Sequence, residues 1–156
     1  MVTIALLVIG GVTGWWAVDR LVGGYEFPGQ IEGVNLTHTG DAQDLPMVRP
    51  TGMTGEVGYY GPPVTADYIF VVLDLPEGAD PNIMWERYGT LLNPQGAVVT
   101  KGLPSTARFV CLPNPLLNSS GSCLWMKGRT LYELDAPFSS VDELQPIAYS
   151  VFLESD

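Results

Sequence analysis

The chain has 156 residues, 46% of them hydrophobic, with 17 acidic side chains against 7 basic ones and a net charge of −10. That is one domain's length, with enough apolar material for a packed core. All the charges except Asp19 and Arg20 lie after residue 24; such an acidic surface, with no basic cluster in the sequence, excludes nucleic acid as a partner and disfavours adhesion to anionic lipid.

Residues 2–18, VTIALLVIGGVTGWWAV, carry no charge and end against Asp19 and Arg20. As a helix they would rise roughly 25 Å, slightly short of a hydrocarbon core of about 30 Å. Leu21 and Val22 can extend the segment, and Trp15 and Trp16 have the rings favoured at a membrane interface. Three readings compete: a retained single-pass anchor over residues 2–22, a cleaved signal peptide, and a buried helix of a soluble protein. The signal peptide lacks a positive n-region, and small residues at cleavage spacing are poor around the tryptophans. The retained anchor is the expectation. Gly10 and Gly14 make a G-x-x-x-G spacing, through which such a helix approaches a second copy of itself or another membrane protein. No Lys or Arg precedes the segment, so the positive-inside rule gives little orientation.

Residues 23–30 read as a short juxtamembrane linker and Ile31 to Thr37 as a first strand. From His38 to Pro63 the chain is rich in Gly, Pro, Asp and Thr, a long connection with one short strand at GEVGYY. Asp67 to Leu75, DYIFVVLDL, is a nearly continuous β-branched and aromatic run, as a central strand requires. Asp80 can cap and Pro81 suits the first position of a helix whose apolar face is Ile83, Met84, Tyr88, Leu91 and Leu92, stopped by Asn93-Pro94. Strands follow at Ala107–Leu112, Ser122–Met126 and Thr130–Leu134, the last two joined by a turn at 127–129. Ser140 and Glu143 form a capping box for a last helix, with Leu144, Ala148, Val151 and Phe152 as its stripe. Pro146 removes an amide donor inside it and predicts a kink or a late start. The organisation expected is an anchor and juxtamembrane turn over 1–24, an extended linker with one or two short strands over 25–66, and an α+β extracytoplasmic core over 67–156. The fold class is α+β, an N-terminal transmembrane helix followed by an antiparallel sheet with helices packed on one face.

Cys111 ends one strand and Cys123 begins the next. If those strands pair, both thiols sit at the base of the intervening loop, within bridging reach. Buried free thiols, a metal site and redox catalysis are the alternatives. A metal needs two further ligands and finds only the distant His38, and C-x-x-C is absent. A structural disulfide is the expectation, and it places the domain outside the cytoplasm with the N-terminus inside.

No G-x-S-x-G, phosphate-binding glycine loop or H-E-x-x-H is present, and His38 sits beside no apolar framework. Asp41 with Asp44, and Asp74, Glu77 and Asp80, read as solvated charge, since calcium needs more oxygen ligands at a defined spacing. Neither catalysis nor a cofactor is expected. Tyr59 and Tyr60, set between glycines and prolines, are the candidate binding surface, with coverage of a sheet edge as the alternative. Trp85 and Trp125 read as core. Asn35-Leu36-Thr37 and Asn118-Ser119-Ser120 are glycosylation sequons, meaningful only in a eukaryotic secretory pathway.

The Phe27-Pro28 entry with Ile31 and Gly33, the Tyr59-Tyr60-Gly61 turn, and above all Cys111 followed by Cys123-Leu124-Trp125 give a layout that resembles a group of actinobacterial proteins. These have one N-terminal membrane anchor and a small extracytoplasmic domain. Lys127 and Pro146 depart from that group's pattern. The resemblance implies location and overall form and no activity. A membrane-anchored extracytoplasmic domain that binds a ligand or partner protein is therefore expected, the alternative being an accessory structural subunit of a larger membrane complex.

Overall fold

The structure, a computed structural model, describes residues 24–45, 52–92, 108–113 and 120–154. The expected anchor with Gly10 and Gly14, the Asn93-Pro94 helix stop and the Asn118 sequon lie outside the described residues. Among the described residues no helix is long and apolar enough to cross a membrane.

The strands are β1 (Gln30–Ile31), β2 (Val34–Asp41), β3 (Thr54–Tyr60), β4 (Tyr68–Asp74), β5 (Phe109–Pro113), β6 (Gly121–Lys127) and β7 (Thr130–Ala136). Helix α1 (Pro81–Leu92) follows β4, and α2 (Val141–Glu154) closes the fold. The strands form one sheet in the order β1-β2-β3-β4-β7-β6-β5, every neighbouring pair antiparallel. Two meanders, β1 to β4 and β5 to β7, thus meet at the β4–β7 seam. The α+β class holds.

Local chemistry explains most of the elements. Asp80 Oδ1 accepts from the Asn82 amide at 2.8 Å and Pro81 occupies the first position of α1. The Ser140 amide donates to Glu143 Oε2 at 2.9 Å, the reciprocal bond of a capping box at the start of α2. These bonds hold the Glu143 carboxyl below its ordinary value. Helix α2 begins at Val141 despite Pro146, so its start is not late. The proline leaves open only the Asp142 carbonyl, on an exposed first turn. Gly128, at φ +58, opens the two-residue loop between the paired Lys127 and Thr130.

Three expectations are corrected. The stretch Ile31 to Thr37 is not one strand: Glu32 and Gly33 both take left-handed backbone (φ +48 and +75), making a primed two-residue turn between Ile31 and Val34. Residues 25–66 are not a linker. They supply β1, β2 and β3 to the sheet, and Phe27, Ile31 and Tyr60 to its core. The helices are not on one face. Side chains alternate across a strand, and α2 joins Phe70, Cys111, Cys123 and Trp125, whereas Met84 of α1 joins Val71, Leu73, Val110 and Leu124 on the other side.

The first face is aromatic. Phe109, Trp125 and Tyr132 stack across β5, β6 and β7 with centroids 5.8 and 5.6 Å apart, and Phe70 on β4 continues the ladder 6.2 Å from Tyr132. Leu144, Ala148 and Val151 of α2 cover one end of it, and Tyr25 with Phe27 the other. Two glycines allow this closeness. A Cβ on Gly58 would lie 2.8 Å from the Phe27 ring, and one on Gly121 would lie 3.2 Å from the Val141 backbone. The second face is aliphatic, built of Val57, Val71, Leu73, Leu112, Leu124, Met126 and Leu131. Both faces of β4, β6 and β7 are therefore buried.

Candidate functional site

Cys111 and Cys123 are directly opposite each other on β5 and β6. The Met126 amide donates to the Arg108 carbonyl, and alternation from that pair makes 111/123 a non-hydrogen-bonded position, where side chains come closest. The sulfurs are 1.96 Å apart, at bonding distance, among the aromatic core residues. The expected juxtaposition is thus present in the fold.

Tyr59 and Tyr60 are successive residues of β3 and point to opposite faces. Tyr60 is fully buried, and its hydroxyl donates to the Pro28 carbonyl at 2.9 Å. Burial, then the neighbouring Tyr25, raises its pKa strongly. Tyr59 is half-buried, and the exposed His38 of β2 stacks on it with centroids 4.3 Å apart. Burial, then the charge of Asp44, raises the Tyr59 pKa. The two rings therefore share no surface. The acidic residues have local partners: Asp41 Oδ1 accepts from the Gln43 amide, Asp80 caps α1, and Asp74 accepts from the Thr130 hydroxyl. Among the described residues no group of three His, Cys, Asp or Glu side chains is placed to hold a metal ion. Trp125 is fully buried and Trp85 half-buried against the aliphatic cluster.

Two arrangements escape the sequence. The first is a buried polar group on the second face. Ser122 of β6 is paired with Asp135 of β7 and donates its hydroxyl to the Asp135 carboxylate. Glu133, two residues along on the same face, also hydrogen-bonds Asp135. Both acids are buried, at 2% exposure for Glu133 and 8% for Asp135. Desolvation pushes Asp135 up to about 6, with the bonds from Ser122 and Glu133 pulling the other way. A hydrogen bond between two carboxyl groups requires one of them to be protonated. In the sequence Tyr-Glu-Leu-Asp-Ala reads as an amphipathic strand with its acids in water. The signal was in β6: Gly-Ser-Cys-Leu-Trp-Met offers no solvent face, so its neighbour has none either.

The second is a cleft of about 590 Å³ at one end of the sheet. Pro81 and Asn82 at the start of α1, Arg108 ahead of β5, Met126 and Lys127 at the end of β6, and Phe152 of α2 line it. Arg108 donates to Asn82 Oδ1 and lies 3.4 Å from Met126 Sδ. The Lys127 ammonium lies 5.0 Å from the centroid of the Phe152 ring. Arg129, in the adjoining turn, donates to the carbonyls of Ala79 and Pro76 and so fixes the loop leading into α1. The topology gathers at one end three basic residues that the sequence scatters between positions 108 and 129.

No family model, curated protein or solved structure matches the chain.

Proposed function

We propose that the chain is a membrane-anchored, extracytoplasmic, non-catalytic domain that binds a ligand, held in the membrane by residues 2–22. The observation that carries this is the Cys111–Cys123 pair: two sulfurs at bonding distance, in a chain with no other cysteine. Such bonds persist in oxidising compartments, which supports a place outside the cytoplasm. The cleft at Arg108 and Lys127 supports binding, having the size of ordinary ligand sites. The non-catalytic part is supported by the chemistry-bearing groups. His38 is stacked on Tyr59 on an outer strand, and the Asp135–Glu133 pair is closed off, so it can take up a proton but cannot touch a substrate.

The test is topological. Full-length protein isolated without reductant and then unfolded is expected to show no free thiol. Protease added outside intact cells is expected to cut the domain. Two reactive thiols, or protection from external protease, would overturn the assignment.

A further inference from the structure

The ligand class can be argued from the cleft, and this step rests on the binding-domain reading above. The protein is strongly acidic, yet among the described residues no acidic side chain lines this cleft, while Arg108 and Lys127 do. Arg108 is held by neutral atoms, an amide oxygen of Asn82 and the thioether of Met126. A guanidinium has five N–H donors in a planar fork, so donors remain for a second acceptor after those two contacts. The Asn82 amide is already bonded to Asp80, so the cationic character comes from the side chains and not from the end of α1. Around the charges the walls are apolar: Pro81, Met126 and Phe152. The Phe152 ring also lies beneath the Lys127 ammonium, setting an aromatic surface next to a cation.

We propose that this cleft binds a small organic anion, its carboxylate or phosphate group on Arg108 and Lys127 and its apolar body against Met126 and Phe152. Arg108 presents the fork that matches two acceptor oxygens, and Lys127 adds a point charge. A bilayer is excluded as the source of the anion by the acidity of the remaining surface, which repels anionic lipid. The ligand is a soluble molecule.

Benzoate and phenyl phosphate are suitable probes, because each joins an anionic head to an aromatic ring and stays in water. Ligand-observed NMR titration uses the full chain in nanodiscs, with benzamide as the neutral counterpart. Saturable binding of at least one anion with a Kd of about 1 mM or tighter is expected, with none of benzamide. Arg108→Met keeps the stem and removes the charge, and should weaken binding about tenfold or more; Arg108→Lys should recover part of it. Lys127→Met should weaken binding less. An unchanged thermal midpoint in Arg108→Met separates this from misfolding. If that variant is destabilised, Lys127→Met decides. Which anion binds more tightly distinguishes a carboxylate from a phosphate ligand. Benzamide binding as well as benzoate, no saturable binding of either anion, or variants that bind like wild type would overturn the proposal. Such a failure leaves the thiol and protease results, and hence the domain's location, untouched.

Discussion

The two faces of the sheet use the same strands for opposite purposes. The buried side chains on the face under α2 are apolar and aromatic, with the cysteine pair set among Phe70, Phe109, Trp125 and Tyr132. The face on the α1 side is equally closed at β6 and β7, yet it encloses Ser122, Glu133 and Asp135. Burying apolar surface contributes stability in proportion to area, whereas a buried carboxylate opposes folding unless it is protonated or well bonded. The first face is where stability is built. The second gives some of it away in exchange for a titratable group near neutrality.

Substitutions on the two faces should therefore differ in kind. Trp125→Ala removes the largest fully buried side chain and the centre of the aromatic ladder; a loss of about 3–5 kcal/mol is expected, read by denaturant unfolding. Such a loss is a large share of a small domain's stability. The comparison fails if Leu124→Ala, its neighbour facing the other way, costs more than Trp125→Ala does.

Next comes the double variant Cys111→Ser/Cys123→Ser, expected to lose about 2–4 kcal/mol, since the bridge closes a short loop in the unfolded chain. The loss should be the same at pH 4 and pH 7, because among the described residues the buried cluster around the pair holds no carboxyl or imidazole. Hydrogen exchange in the reduced protein should speed up first in the β5–β6 hairpin.

The second face should show itself through pH. The Asp135 carboxyl has its folded pKa raised to about 6 from its ordinary 3.8. The native state thus binds the proton more tightly than the unfolded chain. The contribution is present in full below about pH 4 and lost as pH rises through about 6. It amounts to something on the order of 2–3 kcal/mol. Asp135→Asn should flatten the stability curve across that window and leave the protein more stable than wild type at pH 7. A wild-type curve that rises between pH 4 and 6, or an Asp135→Asn difference that is constant with pH, would remove the contrast between the faces.

The smallest effect is expected at the helix that covers the first face. Ser140→Ala removes both hydrogen bonds of the Ser140 hydroxyl, one to the Glu143 carboxylate and one from the Glu143 amide, and should lower stability by about 1 kcal/mol. Fragmenting the aromatic ladder is not expected, so near-ultraviolet circular dichroism should stay unchanged.

How much of this was legible in the sequence depended on whether the signal was local. β4 announces itself through a β-branched run, α1 and α2 through their caps, and the β6–β7 hairpin through a glycine turn; each is decided within a few residues. The cysteines were readable because their spacing matched a hairpin. What failed was decided at a distance. Ile31 to Thr37 alternates as a strand does, yet Glu32 is held in the left-handed region by its place beside Gly33 and by pairing on both sides. The short strand at GEVGYY was legible and is β3, but His38 to Asp41, the second half of β2, have a loop's composition and become strand because β3 offers them a partner. Tyr60 resembles an exposed turn residue until Phe27 and Ile31 are folded over it. The cleft is a product of topology alone, since residues 82, 108, 127 and 152 meet only when α1, β5, β6 and α2 are assembled.

The Tyr25–Phe27 segment has one further mechanical consequence. The Tyr25 amide donates to Glu56 of β3 at 3.0 Å, and the Tyr25 and Phe27 rings pack edge-on against each other and against Phe70. In the anchored reading, only residues 23 and 24 separate the end of the membrane segment from this clamp, a leash of three Cα steps, at most about 11 Å. In that reading, a domain on so short a leash would not swing away from the bilayer or tumble above it. Any rotation or pairing of the anchor would be passed to the sheet as torque through Phe27, almost without slack.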